Sequence, residues 1–450
     1  MSKKKILILG AGRSTGTLIK YLLNEAKNHF WEVIVADSRL AFAQKKVADN
    51  PNGKAIKLSV LNEAEKDAAI REASVVISML PAHLHYLVAL SCIKHGKSMV
   101  TASYLSEDVK ALDTEARKKD VLILSEIGVD PGIDHMSAMS VIDRIQENEG
   151  IITEFESNTG GLVAPESDNN PWHYKFTWNP RNVVLAGKEG ARFLHNSRFK
   201  YIPYHKLFER YEVITIPGHG DFEVYPNRDS LKYRETYGLT NIQTMFRGTI
   251  RKPGFCDAWN ALVQLGLTDD THLVENSEKI TNREFTNTFL AYSKAKNIEE
   301  KVARYLNLEM EGDVMGKLQW LGLFTNDVQA WCNATPADLL QRLLQKKWLL
   351  LPYEKDMIVM QHQFTYTIGN KKKKTISSMV AYGENDEDTA MSRTVGLPVG
   401  IAAKMMMLEM FPLSGTLLPI HRDIYEPVLY ELENVHNIKF NEQTSNLSNA

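Results

Sequence analysis

The run KILILGAGRSTGTLIKYLLNEAKNHFWEVIVAD, residues 5–37, decides the fold. It opens as a short apolar strand, turns through Gly10-Ala11-Gly12-Arg13-Ser14-Thr15-Gly16, continues as a helix, and ends in a second apolar strand closed by Asp37. Strand, glycine turn and helix in that order let a pyrophosphate approach the free N–H groups of the helix start, where the helix dipole favours negative charge. The third glycine falls one residue later than in G-x-G-x-x-G, so the loop alone is a weak signal. Asp37, 21 residues beyond Gly16, adds to it, because a carboxylate at that point can accept from the hydroxyls of an adenosine ribose. It favours NAD, whereas Arg39 can receive the 2′-phosphate of NADP, and the preference stays open.

Working outward, the same beat continues through EVIVA (32–36), AIKLSV (55–60), VVISML (75–80), SMVTAS (98–103) and VLILSEI (121–127). Between these runs lie helical stretches such as LSEDVKALDTEARKKD, where Leu105, Val109, Leu112 and Ala116 share a face and Ser106 is placed to cap. Near-continuous apolar strands alternating with helices require a parallel sheet covered on both faces. The expectation is α/β, with a Rossmann domain over residues 1–135. Leu80-Pro81, at the end of the fourth strand, falls where the chain passes the cofactor in such sheets.

After Gly150 the texture changes to GGLVAPESDNNPWHYKFTWNPRN, and then to alternating runs such as RYEVITIPG and DMIVMQHQFTYTI. The latter leads through Lys371–Lys374 into TISSMVAYG, read as antiparallel strands joined at a polar turn. A second α/β domain with a mixed or antiparallel sheet follows, expected over 136–389. A helical insertion is expected at about 256–347, including FLAYSKAKNIEEKVARYLNLEM and ADLLQRLLQKKWLLL. The apolar run near 390–412 is expected to be a helix returning to the first sheet, and 413–450 a C-terminal segment.

Composition narrows the partners. With 44% hydrophobic and 24% charged residues the 450-residue chain is ordinarily globular. Its 53 basic and 55 acidic side chains give a net charge of -2, so no global field holds nucleic acid or an anionic membrane. The apolar start is too short for a signal peptide, and GLPVGIAAKMMMLEMF, interrupted by Lys404 and Glu409, is not a membrane span. Cys92, Cys256 and Cys332 are too scattered for disulfides or a metal site and suggest a reducing, cytoplasmic setting.

Ligands of open α/β sheets sit beyond the carboxyl ends of the strands. Strand five runs there into Thr101, Ser103 and Tyr104; strand six runs into Glu126 and then Gly128-Val129-Asp130-Pro131-Gly132-Ile133-Asp134-His135. Tyr104 and Asp130 are the candidates for proton transfer, with Val129 and Asp130 beside the cofactor. Asp134 reads equally as an N-cap, and His135 as a satisfied helix-start histidine.

SEIGVDPGIDHMSA, TASY, GGLVAPESDNNPWHYKFTWNPR, VYPNRDS and FRGTIRKPGFCDAW, in this order, resemble the saccharopine dehydrogenase (L-glutamate-forming) family. The resemblance runs from about residue 5 to 412. It implies a Rossmann domain, a dimer-forming substrate domain and NADP as the usual cofactor. It also implies interconversion of saccharopine with glutamate and 2-aminoadipate 6-semialdehyde in lysine metabolism. Carried onto this chain it marks Ser103, Tyr104, Arg228, Arg247, Gly248 and Thr249 for the substrate. Arginine suits a tricarboxylate because its planar fork binds a carboxylate through two parallel bonds. Two departures stand out: Asn158-Thr159 where many members carry a cysteine, and Asp37-Ser38-Arg39 where members end in Cys-Arg. Alternatives are a lysine 6-dehydrogenase, a carboxynorspermidine-type reductase, and a non-catalytic NAD(P)-binding sensor.

Overall fold

The computed structural model of the chain describes residues 3–293 and 297–447. The first elements are β1 (Lys4–Leu9), α1 (Gly16–His29), β2 (Trp31–Asp37), α2 (Leu40–Val47), β3 (Gly53–Lys57), α3 (Glu63–Glu72) and β4 (Val75–Ser78). They continue with α4 (His85–Lys94), β5 (Ser98–Val100), α5 (Glu107–Lys110), α6 (Asp113–Lys118), β6 (Leu122–Leu124) and α7 (Ile133–Glu147). The apolar runs become strands because both sheet faces are covered: Ile6, Leu7, Ile8 and Leu9 are each at most 1% exposed. The stretch read as one helix after Ser106 is two short ones meeting at Ala111–Leu112, and Ser106 does cap the first by accepting from the Val109 N–H.

The chain then forms β7 (Ile151–Val163), α8 (Pro180–Val184), β8 (Ala191–His195), β9 (Arg198–Ile202), β10 (Glu212–Ile216), β11 (Gly220–Pro226), α9 (Tyr233–Thr236) and β12 (Thr244–Arg251). Helices α10 (Phe255–Leu265), α11 (Asn282–Asn287), α12 (Ile298–Leu306), α13 (Asp313–Leu321) and α14 (Pro336–Lys347) follow, then β13 (Asp356–Ile368) and β14 (Lys371–Tyr382). Part of the FLAYSKAKNIEEKVARYLNLEM run, residues 294–296, lies outside the described residues. The Lys371–Lys374 run, expected in a turn, lies inside β14, because Gly369-Asn370 alone reverses the chain, with Gly369 at φ +57°. A link of two residues permits only antiparallel pairing.

The last elements are α15 (Ala390–Met407), β15 (Gly415–Leu417), α16 (Arg422–Asn434) and β16 (Asn441–Asn446). One compact unit comprises the chain up to Ile151 together with Met379–Asn441; the other comprises Ile152–Ser378 with the chain from Glu442 onward. The passage between them therefore falls after Ile151 rather than at 135/136, because α7 belongs to the first unit, where it packs with α16. The segment from 413 is likewise not separate: β15 and α16 belong to the first unit and β16 to the second sheet.

The first sheet runs β15-β6-β5-β4-β1-β2-β3 with every pairing parallel, a Rossmann order extended by β15. Helix α15 lies on α1 at close range: a Cβ at Gly396 would come 3.0 Å from the Leu18 nitrogen, and one at Gly400 2.7 Å from the Tyr21 ring. The second sheet runs β10-β11-β12-β7-β13-β14-β16, with β8 pairing β12 and β9. It is mixed, since β12 is parallel to β7 and antiparallel to β11. The second unit's core gathers Trp172, Trp259, Trp348 and Phe255, with Phe255 and Trp259 stacked at 5.6 Å. Among the described residues no helix is long and apolar enough to cross a membrane.

Candidate active site

The glycine loop leaves β1 at Gly10, whose φ of +102° and whose closeness to Met79 exclude a side chain: a Cβ would lie 2.6 Å from the Met79 carbonyl oxygen. At Gly12 nothing in the chain lies within 4 Å of such a Cβ, so the loop is open outward where a pyrophosphate would approach. Arg13, Ser14 and Thr15 form a 3-10 turn leading into α1, with the Thr15 hydroxyl donating to the Gly12 carbonyl at 2.8 Å. Asp37 stands at the end of β2 and accepts the Ala11 N–H at 2.9 Å and the Arg39 N–H at 2.8 Å, one on each oxygen. Its carboxylate thus ties the glycine loop to the second strand. The Arg39 guanidinium is exposed and sits 3.7 Å from the centroid of the Phe42 ring. Leu80 is half-buried and Pro81 exposed, at the carboxyl end of β4.

The loops after β5 and β6 are laced together. The Glu126 N–H donates to the Ser103 carbonyl at 2.9 Å, the Ile127 N–H to the Thr101 carbonyl at 3.2 Å, and the Leu105 N–H to the Glu126 carboxylate at 2.9 Å. Ser103, Tyr104 and Asp130 are half-buried there, and Val129 is buried. Glu126, at φ +60° and 5% exposed, also meets the fully buried His135 at 2.9 Å. His135 is therefore held by Glu126 inside the unit. Asp134 is not the N-cap: Gly132 occupies that position, and Asp134 reaches back from the first turn to the Gly132 N–H at 2.5 Å. Asp130-Pro131 is a cis peptide.

One group that reaches these loops from the start of α4 was not read from the sequence. His85, the first residue of α4, joins Ser78 Oγ at 2.8 Å through Nδ1 and Ser103 Oγ at 2.7 Å through Nε2. Burial, with a lesser contribution from His83, pulls its pKa down to about 4, so it is neutral at pH 7. Its signal was available, since a histidine opening the helix that follows a parallel strand lies near the carboxyl edge of the sheet.

In the second unit, β12 carries Arg247, Gly248 and Thr249. Arg247 is 4% exposed; its Nη1 donates to Tyr233 Oη at 2.6 Å, its guanidinium lies 4.2 Å from the Tyr233 ring, and its N–H donates to Ser230 Oγ. Gly248 cannot carry a side chain, because a Cβ would fall 2.4 Å from Asn158 Oδ1 and 2.2 Å from Val224. Thr249 pairs with Thr159 across the parallel register. Asn158 Oδ1 and Thr159 Oγ1 are buried and have no hydrogen-bond partner among the described residues. Arg228 is exposed at φ +46°, and its carbonyl accepts the Arg192 N–H at 2.9 Å. Among the described residues no cluster of His, Cys, Asp or Glu is arranged to hold a metal.

Comparisons with known proteins follow this geometry. Residues 6–124 match the model of the saccharopine dehydrogenase NADP binding domain, and residues 128–438 that of the saccharopine dehydrogenase C-terminal domain. The chain is 32% identical over 434 residues to the saccharopine dehydrogenase [NADP(+), L-glutamate-forming] of Schizosaccharomyces pombe, covering 94% of this chain and 95% of that one. It is 33% identical over 450 residues to the protein of the same name from Saccharomyces cerevisiae, covering 98% and 99%. The mitochondrial alpha-aminoadipic semialdehyde synthase of Mus musculus is 33% identical over 99% of this chain, which spans 48% of that protein. Among solved structures, the apo saccharopine dehydrogenase (L-Glu forming) from Saccharomyces cerevisiae matches with a TM-score of 0.90 at 30% identity, over 98% of this chain and 100% of that one.

Proposed function

The chain belongs to the saccharopine dehydrogenase family, and from that premise we propose that it interconverts saccharopine with L-glutamate and 2-aminoadipate 6-semialdehyde in lysine metabolism. It is an oxidoreductase of the nicotinamide-dependent kind. One observation carries the reading: relatives named for the L-glutamate-forming reaction match it over 94% or more of both chains.

The glutamate amine adds to the aldehyde, the carbinolamine loses water to give an imine, and the imine carbon is reduced. When bound, the nicotinamide supplies the hydride, and the open Gly12 turn fits the dinucleotide's pyrophosphate. Gly10, Gly12, Arg13, Ser14 and Thr15 would hold that pyrophosphate, with Leu80, Pro81 and Val129 along the nicotinamide half. Tyr104 and Asp130 handle the protons of addition and dehydration, where acid and base assistance speeds both steps. Ser103, Tyr104, Arg228, Arg247, Gly248 and Thr249 receive the substrate, the arginines taking carboxylates. In this reading the second unit is the substrate and homodimer domain. The setting in this reading is reducing and cytoplasmic, as the three scattered cysteines Cys92, Cys256 and Cys332 suggest.

The deciding measurement is the initial rate of NADPH or NADH oxidation with glutamate and the semialdehyde together. Glutamate-dependent oxidation is expected; no turnover with either cofactor would overturn the proposal, and lysine oxidation without glutamate would replace it with a lysine 6-dehydrogenase. The family points to NADP(H), whereas Asp37 sits at the ribose position. Replacing Asp37 by alanine is expected to raise the NADPH-to-NADH ratio of kcat/KM about tenfold, by removing a carboxylate that repels a 2′-phosphate at close range. An unchanged ratio would leave Asp37 only its bonds to Ala11 and Arg39.

A further inference from the structure

Ser78, His85 and Ser103 form a three-membered chain across the carboxyl ends of β4 and β5, with separations of 2.8 and 2.7 Å. Ser78 is fully buried and His85 is 4% exposed. Because burial keeps the imidazole neutral, it carries one N–H and one bare nitrogen. Two arrangements of protons are therefore open to the chain.

In the first, the Ser78 hydroxyl donates to Nδ1, and the Nε2–H donates to Ser103 Oγ. In the second, the Nδ1–H donates to Ser78 Oγ, and the Ser103 hydroxyl donates to Nε2. The second leaves the Ser78 proton without an acceptor, since His85 is the partner of that hydroxyl among the described residues. A buried hydroxyl that keeps its proton unbonded disfavours an arrangement by a factor of about ten or more. The first arrangement wins.

Its consequence is at Ser103. With an oxygen lone pair taken by Nε2–H, the Ser103 hydroxyl keeps its own proton for a ligand. We infer that Ser78 and His85 are positioning residues that leave the Ser103 hydroxyl proton free to donate, so that Ser103 meets a carboxylate oxygen of the substrate. The inference rests on the reading of Ser103 as a substrate contact. It gives the first unit an acceptor-seeking group of its own, without adding another charge.

Two measurements test it. In protein labelled with [15N]histidine, the His85 signal, identified by its loss in His85→Gln, is expected to show a protonated Nε2 and a bare Nδ1 in the cofactor-free enzyme. A protonated Nδ1 would overturn the inference. In kinetics with saccharopine, Ser103→Ala is expected to raise KM about tenfold or more, the loss of one hydrogen bond to a charged acceptor. Ser78→Ala, which touches no substrate, is expected to raise KM by about threefold, more than it changes kcat, while mixing the two His85 tautomers. The double variant Ser78→Ala/Ser103→Ala is expected to match Ser103→Ala alone, because the buried pair acts only through that hydroxyl. Additive losses in the double variant would mean that Ser78 merely supports the fold, and would overturn the inference. If the wild-type enzyme does not turn over saccharopine, the substrate reading fails by itself, and the tautomer still decides how Ser103 is held.

Discussion

Replacing Arg247 by methionine is expected to raise the KM for saccharopine about a hundredfold, the equivalent of roughly 3 kcal/mol for a lost charge-assisted contact. The guanidinium is already ordered: it is 4% exposed, bonded to Tyr233 Oη at 2.6 Å, and stacked on that ring. A side chain fixed in this way gives up little rotamer freedom when a carboxylate arrives, so most of the contact energy appears as affinity. Arg247→Lys keeps the charge but loses the planar fork, and its KM is expected to fall between the two. Initial rates with saccharopine varied at saturating cofactor, beside thermal melts of each variant, make the check. A melting point that drops while KM stays within threefold would reassign Arg247 to the sheet alone.

Gly132→Ala is expected to abolish measurable turnover and to destabilise the first unit by about 3 kcal/mol or more. Gly132 holds φ +146°, and a Cβ there would sit 2.1 Å from the Gly128 oxygen and 2.2 Å from its nitrogen. No rotamer relieves an overlap with backbone, so the Gly128–Gly132 loop has to open. That loop carries Asp130, and its far end is pinned by the Gly128 N–H to the Pro131 carbonyl at 2.9 Å. Opening it moves Asp130, the carboxylate proposed to handle protons. Chemical denaturation and initial rates measured on the same preparation test both halves, and a variant with full activity and unchanged stability would refute the account.

The first sheet was legible because its strands are buried on both faces, which forces unbroken apolar runs such as Ile6–Leu9 and Val75–Ser78. The polar loops after β5 and β6 were legible for a different reason: a parallel sheet collects its ligands at one edge, so polar residues following a strand end carry position as well as type. Lys371–Lys374 misled because charge says nothing about direction of the chain; a Gly-Asn pair had already made the turn, and the four lysines, alternating between the faces of β14, are exposed or half-buried at its start. Asp134 misled by a single turn, since a cap and a first-turn carboxylate differ only in which N–H they reach. His85 and Ser78 were passed over because isolated polar residues within apolar stretches look like exceptions to the core. Only the distances bring them to Ser103. Tyr233, which orders Arg247 from 14 positions away, has no signal in local pattern at all.

The place of α15 has a consequence for how the molecule is made. The face of α1 that receives Gly396 and Gly400 is synthesised well before its cover, because β2 to β6 and residues Ile152–Ser378 of the second unit lie between them in the sequence. Tyr21 and Gly396 lie 375 positions apart, which at cellular rates of synthesis separates the two by roughly twenty to seventy-five seconds. During that interval Leu18 and Tyr21, buried in the finished protein, are apolar surface without a partner. The first unit is therefore complete only once α15 has been made and has closed over α1.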